Sequence, residues 1–145
     1  MNVQECMSRN VQVCAPDMTV RDAARVMKDI DSGFLPIGEG DRLLGTLTDR
    51  DIAIRAVAEG KGPDTPVREV MSADVCYCFE DEDIDEVARN MGDIKVRRLP
   101  VVNREKRLVG VVSLGDISQT RDTLGSSGHA LRGISEPGGM HSQHG

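Results

Sequence analysis

Leu43-Leu44-Gly45-Thr46-Leu47-Thr48-Asp49-Arg50-Asp51-Ile52 returns near the end of the chain as Leu108-Val109-Gly110-Val111-Val112-Ser113-Leu114-Gly115-Asp116-Ile117. Each copy is an apolar, β-prone run closed by Thr or Ser, with Asp three residues later and an apolar residue next. That order reads as a strand, a sharp turn and the start of a helix. Two such corners in one chain imply two copies of one small unit.

Working outward, the rest of the chain repeats as well. Residues 3–41 align with 67–105 and residues 42–52 with 107–117, leaving Lys106 as an insertion, with 19 identities over 50 positions. Val3-Gln4-Glu5-Cys6-Met7-Ser8 answers Val67-Arg68-Glu69-Val70-Met71-Ser72, and Leu35-Pro36-Ile37 answers Leu99-Pro100-Val101. A period of about 64 residues is too long for a solenoid repeat and fits a duplicated domain.

Each copy reads alike. A short helical turn comes first, with Thr65-Pro66 as candidate cap and first helical residue of the second. A short strand is expected over 11–14 and over 75–78. An amphipathic helix follows, because Val20, Ala23, Ala24 and Met27, like Ile84, Val87, Ala88 and Met91, fall at i, i+3, i+4, i+7. Thr19 with Asp22, and Asp83 with Glu86, resemble capping boxes. Strands over 34–37 and 43–47, and over 98–102 and 107–112, flank Gly- and charge-rich turns and suggest antiparallel hairpins. A last helix is expected over 49–58, with its counterpart starting near Leu114. Residues 60–66, rich in turn formers, link the copies. The resulting division is 1–59, linker 60–66, 67–124, and a tail over 125–145 that is expected to be disordered. The tail holds His129, His141 and His144, read as a solvated tract with weak metal binding as the alternative.

Composition narrows the function. The 145 residues carry a formal charge of −6 at pH 7, 2% aromatics and no Trp. A nucleic-acid binder usually shows a basic face and stacking aromatics. No apolar run approaches a membrane span, and residues 1–5 lack the form of a signal peptide. A soluble, cytoplasmic protein with no nucleic-acid or membrane partner is the expectation. Cys6, Cys14, Cys76 and Cys78 lack the C-x-x-C spacing of a zinc site and are read as free thiols or small core residues. No metal is assigned to them. The acidic run 80–83 is read as a solvated helix start, with a divalent ion as the alternative.

With L-P-[IV] on the middle strand and G-x-x-[TS]-x-x-D-I into the last helix, both occurring twice and in order, the chain resembles a tandem pair of cystathionine-β-synthase (CBS) domains. It is also similar to small stand-alone prokaryotic proteins of that kind. The resemblance implies an α/β (α+β) fold of two β-α-β-β-α subdomains packed about a pseudo-twofold axis. It also implies clefts between them, and homodimers formed through helices. The implied function is regulatory sensing of an adenosine-containing ligand: AMP, ADP, ATP, NAD or S-adenosylmethionine. No other cofactor is required by that reading, and a regulated protein remains to be identified.

The corners suit such a ligand. A helix start offers free N–H groups and a positive dipole end to phosphate. A carboxylate one turn on can accept from a ribose diol. Thr48 with Asp51, and Ser113 with Asp116, supply that pair, and the resemblance gives each Asp the ribose. The same Thr-x-x-Asp is also a capping box, and the two readings stand together for Thr48 and Ser113. The resemblance implies that Tyr77, Cys78, Arg97, Arg98 and Pro100 close the Asp51 cleft. Val13, Cys14, Ala15, Gly33, Phe34 and Pro36 would close the Asp116 cleft. Arg50 and Arg98 give the Asp51 cleft more positive charge and a preference for the more phosphorylated ligand. A solvated strand end paired with acids is the alternative for Arg97 and Arg98.

No catalytic residue is assigned. All histidines lie in the tail, and neither a G-x-x-x-x-G-K-[ST] loop nor H-E-x-x-H occurs, so no enzyme is expected. Two other functions stay open: a ligand-free structural adaptor for partner proteins, and a thiol redox sensor using Cys76 and Cys78 or Cys6 and Cys14.

Overall fold

The computed structural model describes residues 1–119. The tail over 125–145 and its three histidines lie outside the described residues.

The amphipathic helices form as their spacing dictates. Helix α1 (Val20–Ile30) buries Val20, Ala23 and Met27, and α3 (Ile84–Ile94) buries Ile84, Val87, Ala88 and Met91. Both stop where the chain turns left-handed, at Asp31 (φ 54°) and Lys95 (φ 61°). Thr19 caps α1 by accepting from the Asp22 amide at 3.2 Å. Asp22 does not reach back to the Thr19 amide and Asp83 makes no cap bond, so neither expected capping box is complete. The Met1 carbonyl takes the Ile84 amide instead, at 3.2 Å, and the Asp83 carboxylate faces the N-terminal amine at 3.9 Å. Thr65 likewise does not cap the turn after it, because its hydroxyl donates to Gly62 O at 2.7 Å.

The hairpins are present. Strands β1 (Phe34–Glu39) and β2 (Arg42–Thr48) pair antiparallel, with Phe34 opposite Thr48. Strands β4 (Arg98–Val102) and β5 (Leu108–Ser113) repeat this, with Arg98 opposite Ser113. The first strand of each copy is shorter than expected. In the second copy it is β3 (Cys78–Phe79), parallel to β4. In the first it shrinks to a bridge between Cys14 and Ile37. The reason is a missing donor. The Glu80 amide extends the β3 ladder to Val102 O at 2.9 Å, whereas the matching residue, Pro16, has no N–H.

Beyond β2 the chain enters α2 (Asp49–Asp51) and then a wider π-helical stretch, Ile52–Val57, in which the Ala58 amide reaches back five residues to Ala53 O at 3.0 Å. The equivalent of α2 after β5 is α4 (Leu114–Ser118).

The chain forms two compact units, and their bounds are offset from the repeats. One is Gln12–Val75; the other joins Met1–Val11 to the chain from Cys76 onward. The 3-10 turn that opens each repeat therefore belongs to the unit built mainly from the other repeat. Val67–Glu69 docks on the first repeat, with the Val67 amide donating to Met18 O and the Arg68 amide to Pro16 O. Val3–Glu5 docks on the second, with Val3 to Glu82 O and Gln4 to Glu80 O. In the 12–75 unit Val67 and Val70 join Leu35, Ile37 and Leu47 in the core. In the other, Val3 and Met7 join Ile84, Met91, Leu99 and Ile117. Full burial of one such side chain stabilises by about 1.5–3 kcal/mol.

Candidate functional site

The expected site residues divide between the units. In the 12–75 unit, Thr48 is extended (φ −117°, ψ 162°) at the end of β2, so the chain leaves the sheet there and turns into helix. The Asp51 amide donates to Thr48 Oγ1 at 3.1 Å and the Thr48 amide to Asp51 Oδ2 at 2.9 Å. The capping box is thus closed. Asp51 Oδ1 lies outside it, 3.8 Å from Arg55 Nε, and the side chain is 15% exposed. In the other unit the same box closes between Ser113 and Asp116, at 3.0 Å in both directions.

The neighbours of the two corners differ. The Asp49 amide donates to Gly33 O at 2.9 Å, and the Leu114 amide to Arg97 O at 2.9 Å. A Cβ on Gly33 would lie 2.5 Å from Asp49 Oδ2, so glycine leaves room for that carboxylate. Asp49 Oδ1 accepts from the Arg50 amide at 2.8 Å. Arg50 is thus flanked in the chain by two carboxylates, Asp49 and Asp51, at its own corner. The sequence expectation counted Arg50 without Asp49 beside it. Strand pairing brings Arg98 against Ser113 and Phe34 against Thr48. Each corner is therefore flanked by the 33–34 or 97–98 pair of its own unit.

Of the other expected residues, Phe34, Pro36 and Pro100 are buried in their strands. Cys14 and Cys78 are each 1% exposed. The Cys14 amide donates to Pro36 O and its carbonyl accepts from Gly38, while Ala15 O accepts from the Met18 amide. Val13 is half-buried and Ala15 is exposed. Tyr77 is 36% exposed and meets Phe79 edge to face, with centroids 5.7 Å apart. Arg104 lies 4.2 Å over the Phe79 ring and reaches Asp81 at 2.8 Å. That ion pair holds the Asp81 carboxyl below its ordinary value, mainly through the Arg104 hydrogen bond. The acidic run therefore carries a structural ion pair.

Burial raises three of the thiols. Cys78 is pushed up to about 12, first by burial and then by Glu82 and Cys6. Cys14 rises through burial, and Cys6 through burial and then Asp116 and Glu5. Among the described residues no group of three or more His, Cys, Asp or Glu is placed to hold a metal ion, and no helix is long and apolar enough to cross a membrane.

Sequence reasoning passed over Arg55. It sits four residues after Asp51, the spacing of an ion pair on one helix face, and its Nη1 reaches Val70 O (3.4 Å), Met71 O (3.3 Å) and Ser72 Oγ (3.5 Å). It also passed over an apolar groove of about 400 Å³ between α1 and the 52–57 stretch. Val20, Ala24, Ile52, Ala56 and Val57 line it, and Val57 is 69% exposed.

The CBS domain model matches residues 3–57 and 67–121. A CBS domain-containing protein of Bacillus subtilis, YhcV, is 37% identical over 134 residues, spanning 92% of this chain and 95% of the relative. Hypoxic Response Protein I, solved with two coordinated zinc ions, superposes with a TM-score of 0.75 at 36% identity, over 82% of this chain and 98% of that one. The CBS domain pair of protein MJ0100, solved with 5′-methylthioadenosine and S-adenosyl-L-methionine, gives 0.74 at 31% identity, over 82% of this chain and 98% of that one.

Proposed function

The chain belongs to the CBS domain family, and from that premise we propose that it is a regulatory module that senses an adenosine-containing ligand. The observation that carries this reading is the corner built twice. In each, one carboxylate oxygen of Asp51 or Asp116 closes the helix cap through Oδ2. The second oxygen is left to accept from a ribose diol, and every carboxylate oxygen has further lone pairs. Capping and ribose binding are therefore compatible. Thr48 and Ser113 lie at the phosphate or ribose. Arg50, Arg97 and Arg98 supply positive charge, and Val13, Ala15, Gly33, Phe34, Pro36, Tyr77 and Pro100 supply the walls. Cys14 and Cys78 support those walls from the core. The methylthioadenosine and S-adenosylmethionine bound by MJ0100 belong to this ligand class.

Calorimetric titration with AMP, ADP, ATP, NAD and S-adenosylmethionine tests the reading. Asp51→Asn and Asp116→Asn keep an acceptor for the cap and remove the charge. Loss of a buried charge-assisted contact costs about 1.5–3 kcal/mol, at least a tenfold weakening at the affected site. No binding at millimolar concentration to folded, ligand-free protein would overturn the reading and leave the two aspartates as caps.

The apolar groove, rimmed by Arg21, Arg25, Lys28 and Lys61, supports a second, compatible role as an interaction surface, with a second copy of this chain as the occupant that the family resemblance implies. Val57→Asp is expected to turn a dimer into a monomer in sedimentation equilibrium. A monomeric parent protein would remove that role. The upward-shifted thiols weigh against a thiol sensor, because the thiolate is the reactive form.

A further inference from the structure

Arg55 joins two places that are distant in sequence. One is the Asp51 carboxylate, 3.8 Å from Nε. The other is the 70–72 segment, where Nη1 reaches two carbonyls and the Ser72 hydroxyl at 3.3–3.5 Å. That segment is stitched to β2 by a reciprocal pair, Ser72 amide to Thr46 O at 2.9 Å and Thr46 amide to Ser72 O at 3.0 Å. It is also the stretch by which the chain enters the second repeat. The π-helical stretch contributes to the reach. Its turns are wider than those of an α-helix, and Asp51 and Arg55 fall near one line along its axis. The second repeat has no counterpart, since its sequence places Thr120 at the matching position.

We propose that Arg55 is a positioning residue that couples occupancy of Asp51 to the 70–72 segment. This rests on the adenosyl reading. At 3.8 Å the guanidinium does not take the lone pairs of Oδ1 by hydrogen bonding; it faces the carboxylate as an ion-pair partner and aims it. Ribose hydroxyls donating to Asp51 fix the carboxylate, which fixes the guanidinium, which tightens its grip on Val70, Met71 and Ser72. Linkage makes the effect reciprocal: a segment held in place favours the ligand by the same factor. Occupancy of the Asp116 site lacks this route, so the two sites differ in what they transmit.

The test uses the full chain carrying Asp116→Asn, which isolates the Asp51 site, with AMP and S-adenosylmethionine as probes. Amide hydrogen exchange of Thr46 and Ser72 is measured with and without each probe, alongside affinity, for Arg55, Arg55→Gln and Arg55→Lys. A bound probe is expected to slow both amides at least threefold with arginine in place. Arg55→Gln should weaken binding about fivefold and abolish the slowing. Arg55→Lys should recover affinity through its charge but not the slowing, because a single ammonium lacks the fork that spans both partners. If a probe binds and Arg55→Gln retains the slowing, the coupling is overturned while the adenosyl reading stands. If neither probe binds the protein with arginine in place, the coupling is overturned for these ligands, and the five-ligand titration of the parent protein decides the adenosyl reading separately.

Discussion

Cys78 shows what burial does to one side chain. It is 1% exposed in the core with Val101, Leu99 and Met91, and its thiol is pushed up to about 12 from 9.0, by burial first and by Glu82 and Cys6 after it. The folded state thus favours the neutral thiol more than the unfolded state does. For a raised value the associated stability is fully present below the unfolded value and is lost as pH rises toward the folded one. The window is therefore pH 9 to about 12, with a slope of up to ~1.4 kcal/mol per pH unit from this group. Urea unfolding across that window should show a shallower decline in Cys78→Val than in the parent. Identical slopes would mean that Cys78 is not the source. At pH 8 iodoacetamide should modify Cys78 far more slowly than a free cysteine, since roughly a thousandfold less of it is thiolate.

Among the elements, what was legible in the sequence is what local chemistry determines. The helices follow from i, i+3, i+4, i+7 spacing, and the hairpins from Gly- and charge-rich turns between β-prone runs. The glycine of the corner motif has its reason only in the structure. A Cβ on Gly45 would lie 2.8 Å from Ser72 O and 2.9 Å from Met71 Sδ, and one on Gly110 would lie 2.6 Å from Ser8 O and 2.8 Å from Met7 Sδ. Both strands keep glycine where the opening segment of the other repeat crosses them, a contact that no local pattern encodes. The expected first strands lost residues 11–13 and 75–77 in both copies; that the first copy's ladder stops at Cys14 was visible in the proline at position 16, whose missing N–H cannot extend it. The Asp83 box failed because Met1, distant in sequence, supplied the cap. At the candidate site, the caps that Thr48 makes with Asp51 and Ser113 with Asp116 were legible because a hydroxyl followed three residues later by Asp encodes them locally. Arg55 was not singled out, because its meaning depends on carbonyls 15 and 16 residues away.

At the scale of the whole molecule, the offset between repeats and compact units decides which piece of the chain can stand alone. Residues 12–75 contain an uninterrupted copy of one core: Cys14, Val20, Ala23, Met27, Leu35, Ile37, Leu47 and Ala56, closed by Val67 and Val70. The 12–75 stretch ends just beyond the Thr46–Ser72 pair that seals β2. A fragment cut at the repeat boundary, 1–59, keeps Val3 and Met7 but not the core they enter, and it loses Val67, Val70 and Met71 from the core it retains. Removing two fully buried valines forfeits about 3–6 kcal/mol of burial, comparable to the whole stability of a domain this small. The 12–75 fragment is therefore expected to show a cooperative thermal transition by circular dichroism, and the 1–59 fragment to show none. Adding the 66–73 segment as a peptide to 1–59 should restore part of the signal, because the missing piece docks through its own backbone, with Val67 to Met18 O and Arg68 to Pro16 O. A cooperative transition in 1–59 alone would mean that the opening turn of the second repeat is dispensable to the first, and that the repeats, not the interleaved units, are the folding units of the chain.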